Sequence, residues 1–197
     1  MPRKSVFSEV YALDQTTHRY MIEIALDQYE DIFNEWDPAP FKRREIDADL
    51  ELYLEGSVEE IPPRYPIELF FILPQGKRNP TLEEEARKGI RRFFGFKIHF
   101  LSLELRRITL RILNYLFFGF LLLWVGNTYP GDDSTRDWAI LLAEGIYIGG
   151  WVLLWEAVSL FSFTSLEMYQ RHRVYSRLLQ APVLFKELTQ SGNQAQG

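Results

Sequence analysis

Four polar residues interrupt two otherwise apolar segments of the chain. Arg111 and Asn114 lie in ITLRILNYLFFGFLLLWV (108–125), and Glu144 and Glu156 lie in WAILLAEGIYIGGWVLLWEAVSLFSF (138–163). Ionisable side chains are costly inside a bilayer, so in membrane helices they pair, line a wet cavity or extend to the interface. These four residues are therefore the strongest candidates for chemistry in the sequence.

Arg111 and Glu156 fall at the same depth if the two segments form an antiparallel hairpin. With a helical rise of about 1.5 Å per residue, each lies roughly 8 to 9 Å to one side of the centre of its segment. Gly145 and Gly149 share a helical face with Glu156, and small residues let a neighbouring helix approach closely. We predict that these glycines form the helix-packing face and that Arg111 and Glu156 form an ion pair near Asn114. In the alternative, each charged side chain extends separately to the interface.

Glu144 lies on a different face, and no basic residue of the first apolar segment falls at its depth. A carboxylate in this position needs water, a proton or a partner. Three arrangements meet that need: a pair with Arg136 of the linker, extension toward the outer headgroups, or a wet cavity shared by several copies of the chain.

No enzyme motif accompanies these residues. His18, His99 and His172 lack the spacing of metal ligands, and the chain has no cysteine. The segment PQGKRNP (74–80) lacks the upstream glycine and following Ser or Thr of a phosphate loop, and there is no G-x-S-x-G. We therefore predict no enzymatic activity, no cofactor and no metal site.

The charges are distributed unevenly along the chain. Residues 1–105 contain 14 Lys and Arg against 20 Asp and Glu, whereas residues 106–197 contain 8 against 7. An acidic N-terminal part disfavours nucleic-acid binding. Its densest acidic cluster fits a solvated helix face or, as the alternative, a divalent-cation site; its members are Asp27, Glu30, Asp31, Glu35 and Asp37.

The two apolar segments are long enough to cross a bilayer core of about 30 Å. The linker GNTYPGDDSTRD (126–137) is polar and rich in turn formers, so the segments form a transmembrane hairpin. Basic residues are concentrated outside the hairpin, which predicts that both termini are cytoplasmic. They precede it at Arg91, Arg92, Lys97, Arg106 and Arg107, and follow it at Arg171, Arg173, Arg177 and Lys186.

The N-terminal part has mixed secondary-structure signals. HRYMIEIAL (18–26) and YPIELFFIL (65–73) predict strands, and ADLELYLEG (48–56) predicts a helix capped by Asp47. Thr81 and Glu84 have capping-box spacing, which predicts a long helix from about residue 82 into the first span. The predicted fold class is an α+β cytoplasmic domain followed by a transmembrane helical hairpin. It divides into a head (1–105), the hairpin (106–163) and a tail (164–197) that is disordered at its end.

Three segments resemble a family of small bacterial two-span inner-membrane proteins of unknown function. They are IALDQYEDIFNEWDPAPFKRREIDADLELYL (24–54), EGIYIGGWVLLWE (144–156) and YSRLLQAPV (175–183). The family has a more aromatic and basic stretch after the second span, where this chain has SFTSLEM (162–168). The resemblance implies a protein of the bacterial inner membrane.

Two functions fit these predictions. In the first, the hairpin anchors an interaction or regulatory module whose acidic head binds a cytoplasmic or membrane protein partner. In the second, the lipid-embedded hairpins of several copies form a homo-oligomeric ion channel or transport subunit that uses Glu144, because two helices alone cannot enclose an aqueous path.

Overall fold

The computed structural model describes residues 10–40, 43–128 and 137–188. The chain divides into two compact units, one formed by Met1–His99 with Arg173–Gly197 and the other by Phe100–His172. Helices make up 66% of the structure. Arg136, one of the three candidate ways to compensate Glu144, and the predicted disordered end (189–197) lie outside the described residues.

The first unit contains a three-stranded parallel sheet. Its strands are β1 (Tyr20–Ala25), β2 (Ile67–Leu73) and β3 (Val183–Glu187), in the order β1-β2-β3. Leu69 of β2 is aligned with Ile22 of β1 on one side and with Val183 of β3 on the other. All three of these side chains are buried, since residues in register on parallel strands share a face.

In the described part of the chain, four helices of eight or more residues accompany the sheet: α1 (Ala48–Glu60), α2 (Pro80–Thr128), α3 (Asp137–Ser159) and α4 (Leu166–Gln180), the last two joined by a π-helical turn (Leu160–Ser165). The cap of α1 is confirmed, because the Asp47 carboxylate accepts hydrogen bonds from the backbone N–H groups of Asp49 and Leu50. The long second helix is also confirmed, but its cap is Asn79, whose side chain accepts from Thr81 N–H at 3.0 Å. Pro80 suits the first helical position because it has no N–H to satisfy.

One face of the sheet carries the core of the first unit. Phe71 of β2 stacks on Phe185 of β3 with ring centroids 5.3 Å apart. Three helices of the unit contact one another through Tyr175 of α4, whose ring lies 6.0 Å from that of Phe94 of α2 and whose hydroxyl donates to Glu55 of α1 at 2.7 Å. On the opposite face the alternate positions of β3, Leu184 and Lys186, are exposed.

The predicted fold class, an α+β cytoplasmic domain followed by a hairpin, is wrong. The strands are all parallel, and each parallel pair needs a crossover connection, which α1 provides between β1 and β2. The crossover between β2 and β3 is the whole segment from α2 to α4, so the hairpin is inserted into the first unit. Residues 166–187, which the sequence analysis assigned to a tail, form α4 and β3.

Two helices of the described chain are long and apolar enough to cross a membrane, by length and composition: α2 and the continuous helical run Trp138–Gln180. In their most apolar stretches only 11% and 6% of the residues are buried within the structure. A core helix of a soluble protein with this composition would be mostly buried.

Candidate functional site

The second unit is held together by close contact between α2 and α3 at glycines. A Cβ atom built on Gly150 would lie 2.9 Å from the carbonyl oxygen of Gly119 and 2.8 Å from Cγ of Leu123. A Cβ on Gly126 would lie 3.2 Å from both the backbone nitrogen and Cβ of Tyr147. The pairing of 119 with 150 and of 126 with 147 makes the helices antiparallel, and at Gly119 and Gly150 the helices are too close for a side chain.

The predicted packing face is therefore corrected. Gly145 is exposed, and a Cβ atom there would meet nothing within 4 Å. Gly149 lies at the edge, where a Cβ would be an ordinary 3.8 Å from Cδ1 of Leu122. The contact belongs to Gly150, one residue further along and so rotated by about 100° around the helix.

All four polar residues that were predicted to carry the chemistry of the hairpin are exposed: Arg111, Asn114, Glu144 and Glu156. Among the described residues no ion pair joins Arg111 to Glu156. The glycine contacts set the register of the helices with both charged groups outside the interface, which explains why the predicted ion pair is not formed.

In the first unit, the loop of residues 34–40, here called the Trp36 loop, presents a tryptophan. The Trp36 side chain is 92% exposed. Its backbone N–H donates to Oδ1 of Asn34 at 2.9 Å, and the Asp37 carboxylate accepts from the N–H groups of Ala39 and Glu45, each at 2.9 Å. These two backbone hydrogen bonds lower the pKa of Asp37. The loop conformation is thus fixed by hydrogen bonds while its largest apolar side chain faces solvent.

The acidic cluster that includes Asp37 has structural roles in the described chain. The Asp31 carboxylate accepts from the backbone N–H groups of Asp27 and Gln28, each at 3.0 Å. Among the described residues no group of three or more His, Cys, Asp or Glu side chains is arranged to hold a metal ion. Asp31 and Asp37 both stabilise local turns, as short acidic side chains commonly do.

Sequence reasoning missed a buried ionic network at the start of α2. Glu83 is only 3% exposed and forms ion pairs with Arg78 at 2.7 Å and with Arg87 at 3.1 Å. Burial alone would raise the pKa of Glu83, but the hydrogen bonds and charges of the two arginines outweigh it and lower the pKa. Arg87 also donates to the carbonyl oxygen of Val183 at 3.0 Å, which attaches α2 to β3. The spacing of Glu83 and Arg87, four residues apart in a helix, was the available signal.

Comparison of the chain with protein-family models, with curated proteins and with solved structures gives no match. The resemblance to small bacterial two-span membrane proteins therefore stays a prediction.

Proposed function

We propose that this protein is a membrane-anchored, non-enzymatic interaction or regulatory module of the bacterial inner membrane, and that its first unit binds a protein partner. The observation that carries the proposal is the position of β3 in the chain. Both ends of the apolar helical segment, 80–99 and 173–187, belong to one compact unit with one sheet. A folded unit cannot be divided by a bilayer, so a segment inserted in it crosses an even number of times.

The same observation supports the hairpin topology. Two helices that are apolar and largely unburied meet the requirement of two crossings. Basic residues that flank short spans are retained in the cytoplasm. We therefore assign the first unit and both termini to the cytoplasmic side and the connection between α2 and α3 to the outer side.

Single cysteines test this topology directly, because the natural chain has none. With an impermeant thiol reagent on intact cells, Thr128→Cys at the end of α2 should be labelled, whereas Glu59→Cys at the end of α1 should be labelled only after lysis. Labelling of Glu59→Cys in intact cells would show that the orientation is the opposite of the one proposed. Release of the protein from membranes by alkaline carbonate would contradict anchoring by transmembrane helices.

The Trp36 loop is the proposed partner-binding surface. Tryptophan is enriched among the residues that dominate binding energies, and a loop ordered before binding loses less entropy on association. A photo-cross-linking amino acid at the exposed neighbour Glu35 should give a discrete protein adduct in cells. The adduct should be lost when Trp36→Ala is added, and a cross-linker at exposed Glu59 provides the matched control.

Adducts to lipid alone at position 35 would make the loop a membrane contact and would contradict partner binding there. The same adduct from cross-linkers at positions 35 and 59 would show non-specific collision with the captured protein and would contradict a binding surface at the Trp36 loop. Persistence of the adduct in Trp36→Ala would show that the loop is not the surface that binds.

A homo-oligomeric channel is the second candidate, and the exposure of Glu144 on the hairpin favours it. A carboxylate outside the helix interface can face an aqueous path between copies of the chain. Native mass spectrometry of the protein in detergent should then give a closed ring, and Glu144→Gln should change ion flux in liposomes without altering oligomer size. A monomer, or flux equal to that of empty liposomes, would exclude the channel.

A further inference from the structure

Three arginines surround a cavity of about 340 Å³ in the first unit. Arg19 immediately precedes β1, Arg64 lies in the segment before β2, and Arg177 lies in the last turn of α4, before β3. Because the strands are parallel, these three positions meet at the amino edge of the sheet. Tyr65 and Gln180 complete the polar part of the lining.

Arg177 is held rigidly at the wall of this cavity. Its Nη1 donates to the carbonyl oxygens of Val58 at 2.7 Å and Ile61 at 2.8 Å, and its Nη2 donates to that of Tyr65 at 3.1 Å. Carbonyl oxygens satisfy the N–H groups but carry no net charge. Burial, together with the nearby charge of Arg173, lowers the pKa of Arg177. The guanidinium is therefore partly buried with no carboxylate in ion-pair contact among the described residues.

The other two arginines are also without such a contact. Arg64 lies over the ring of Tyr65, 4.7 Å from its centroid, which leaves its N–H groups available. Arg19 is near the buried Glu68, but no ion pair joins them in the described chain, and Oε1 of Glu68 has no hydrogen-bond partner there. Burial and the charge of Asp14 raise the pKa of Glu68, against the lowering effect of a hydrogen bond from Thr17 and the charge of Arg19.

We propose that this cavity binds the phosphate group of a phosphomonoester, either a small soluble one or a lipid headgroup. Arg19 and Arg64 can offer phosphate oxygens paired, charge-assisted hydrogen bonds, whereas Arg177, whose N–H groups are held by carbonyl oxygens, adds positive charge at the wall. Three positive charges suit a dianion better than a single carboxylate. The volume is at the low end for small-molecule sites, which suits a phosphate with a small substituent. The inference goes beyond the proposed function and does not depend on partner binding at Trp36.

The test uses the full chain in nanodiscs and two groups of probes. In phosphatidylcholine nanodiscs, inorganic phosphate and glycerol 3-phosphate are titrated by calorimetry. In a second set, phosphatidate is added to the nanodiscs and hydrogen exchange of the backbone amides of Arg64 and Tyr65 is followed. We expect saturable binding in the first arm for a soluble ligand, or phosphatidate-dependent protection in the second for a lipid headgroup.

The variant Arg19→Gln with Arg64→Gln should weaken the effective probe by at least about tenfold, since it removes two charged donors. Arg91→Gln, an exposed arginine of α2 outside the cavity, is the matched control and should stay within about twofold of the natural chain. Arg177 is left intact because its three carbonyl contacts are structural. Absence of binding in both arms overturns the proposal, and so does binding that the double variant leaves unchanged.

Discussion

Replacement of Gly150 by alanine should loosen the hairpin, and Gly145→Ala is its natural control. The added methyl carbon at 150 would lie 2.9 Å from the Gly119 carbonyl oxygen, a backbone atom that cannot turn away. Overpacking of this kind costs about 1–3 kcal/mol. Alanine also favours a helix over glycine by up to about 1 kcal/mol, a gain that both variants share. The two variants should therefore differ in stability by about 1–3 kcal/mol.

The unfolding free energy of both variants can be measured by titrating SDS into mixed micelles while tryptophan fluorescence is followed. Gly150→Ala should unfold at lower SDS than the natural chain, because the steric cost outweighs the gain in helix propensity. Gly145→Ala should unfold at the same or higher SDS, because nothing lies within 4 Å of the new methyl group. Equal stability of the two variants would refute the antiparallel contact at Gly119 and Gly150.

Three further predictions concern charged groups. The pKa of Asp37 is lowered in the folded chain, so the stabilisation that its carboxylate gives the loop is present above the ordinary aspartate pKa and is lost as the pH falls through the lowered pKa. A fluorine label on Trp36 should report this transition. Asp37→Asn should remove the transition. Glu83→Gln should lower the free energy of denaturant unfolding by about 1–3 kcal/mol, which is less than the loss of a fully buried ion pair, because both arginine partners are partly exposed. As the control, Glu84→Gln at an exposed position should cost no more than about 1 kcal/mol. In a double-mutant cycle, the effects of Arg111→Leu and Glu156→Leu on the unfolding free energy should be additive within about 0.5 kcal/mol. A larger coupling energy would show that the ion pair predicted from the sequence does form.

Local signals predicted β1, β2 and the capped α1 because each depends on neighbouring residues. The third strand was missed although it carries the same signal: after Pro182, buried Val183 and Phe185 alternate with exposed Leu184 and Lys186. Five residues near the end of a chain are a weak pattern by themselves. The burial of β3 comes from pairing with β2, more than a hundred residues earlier, which no local window contains.

The helix interface was mispredicted for a different reason. Gly145, Gly149 and Gly150 all lie on the same helix, and spacing alone gives no preference between the stripe through 145 and 149 and the one through 150. The choice depends on which residues of α2 face them, and Gly119 offers a bare backbone opposite Gly150. The arginine-lined cavity was equally invisible, since its three arginines are far apart in sequence and meet only because the strands run parallel.

Because the second unit lies in the chain between β2 and β3, we expect the stability of the sheet to depend on it. Closing a flexible connection costs conformational entropy, and a structured connection lowers that cost. The antiparallel contact of α2 with α3 at Gly119 and Gly150 structures most of the chain that separates the two strands. Weakening this contact raises the entropy cost of pairing Phe71 with Phe185, so the loss of stability in Gly150→Ala extends to the sheet. We therefore expect Gly150→Ala to reduce the order of the cavity at the sheet's amino edge as well, because that cavity requires β3 to be in place.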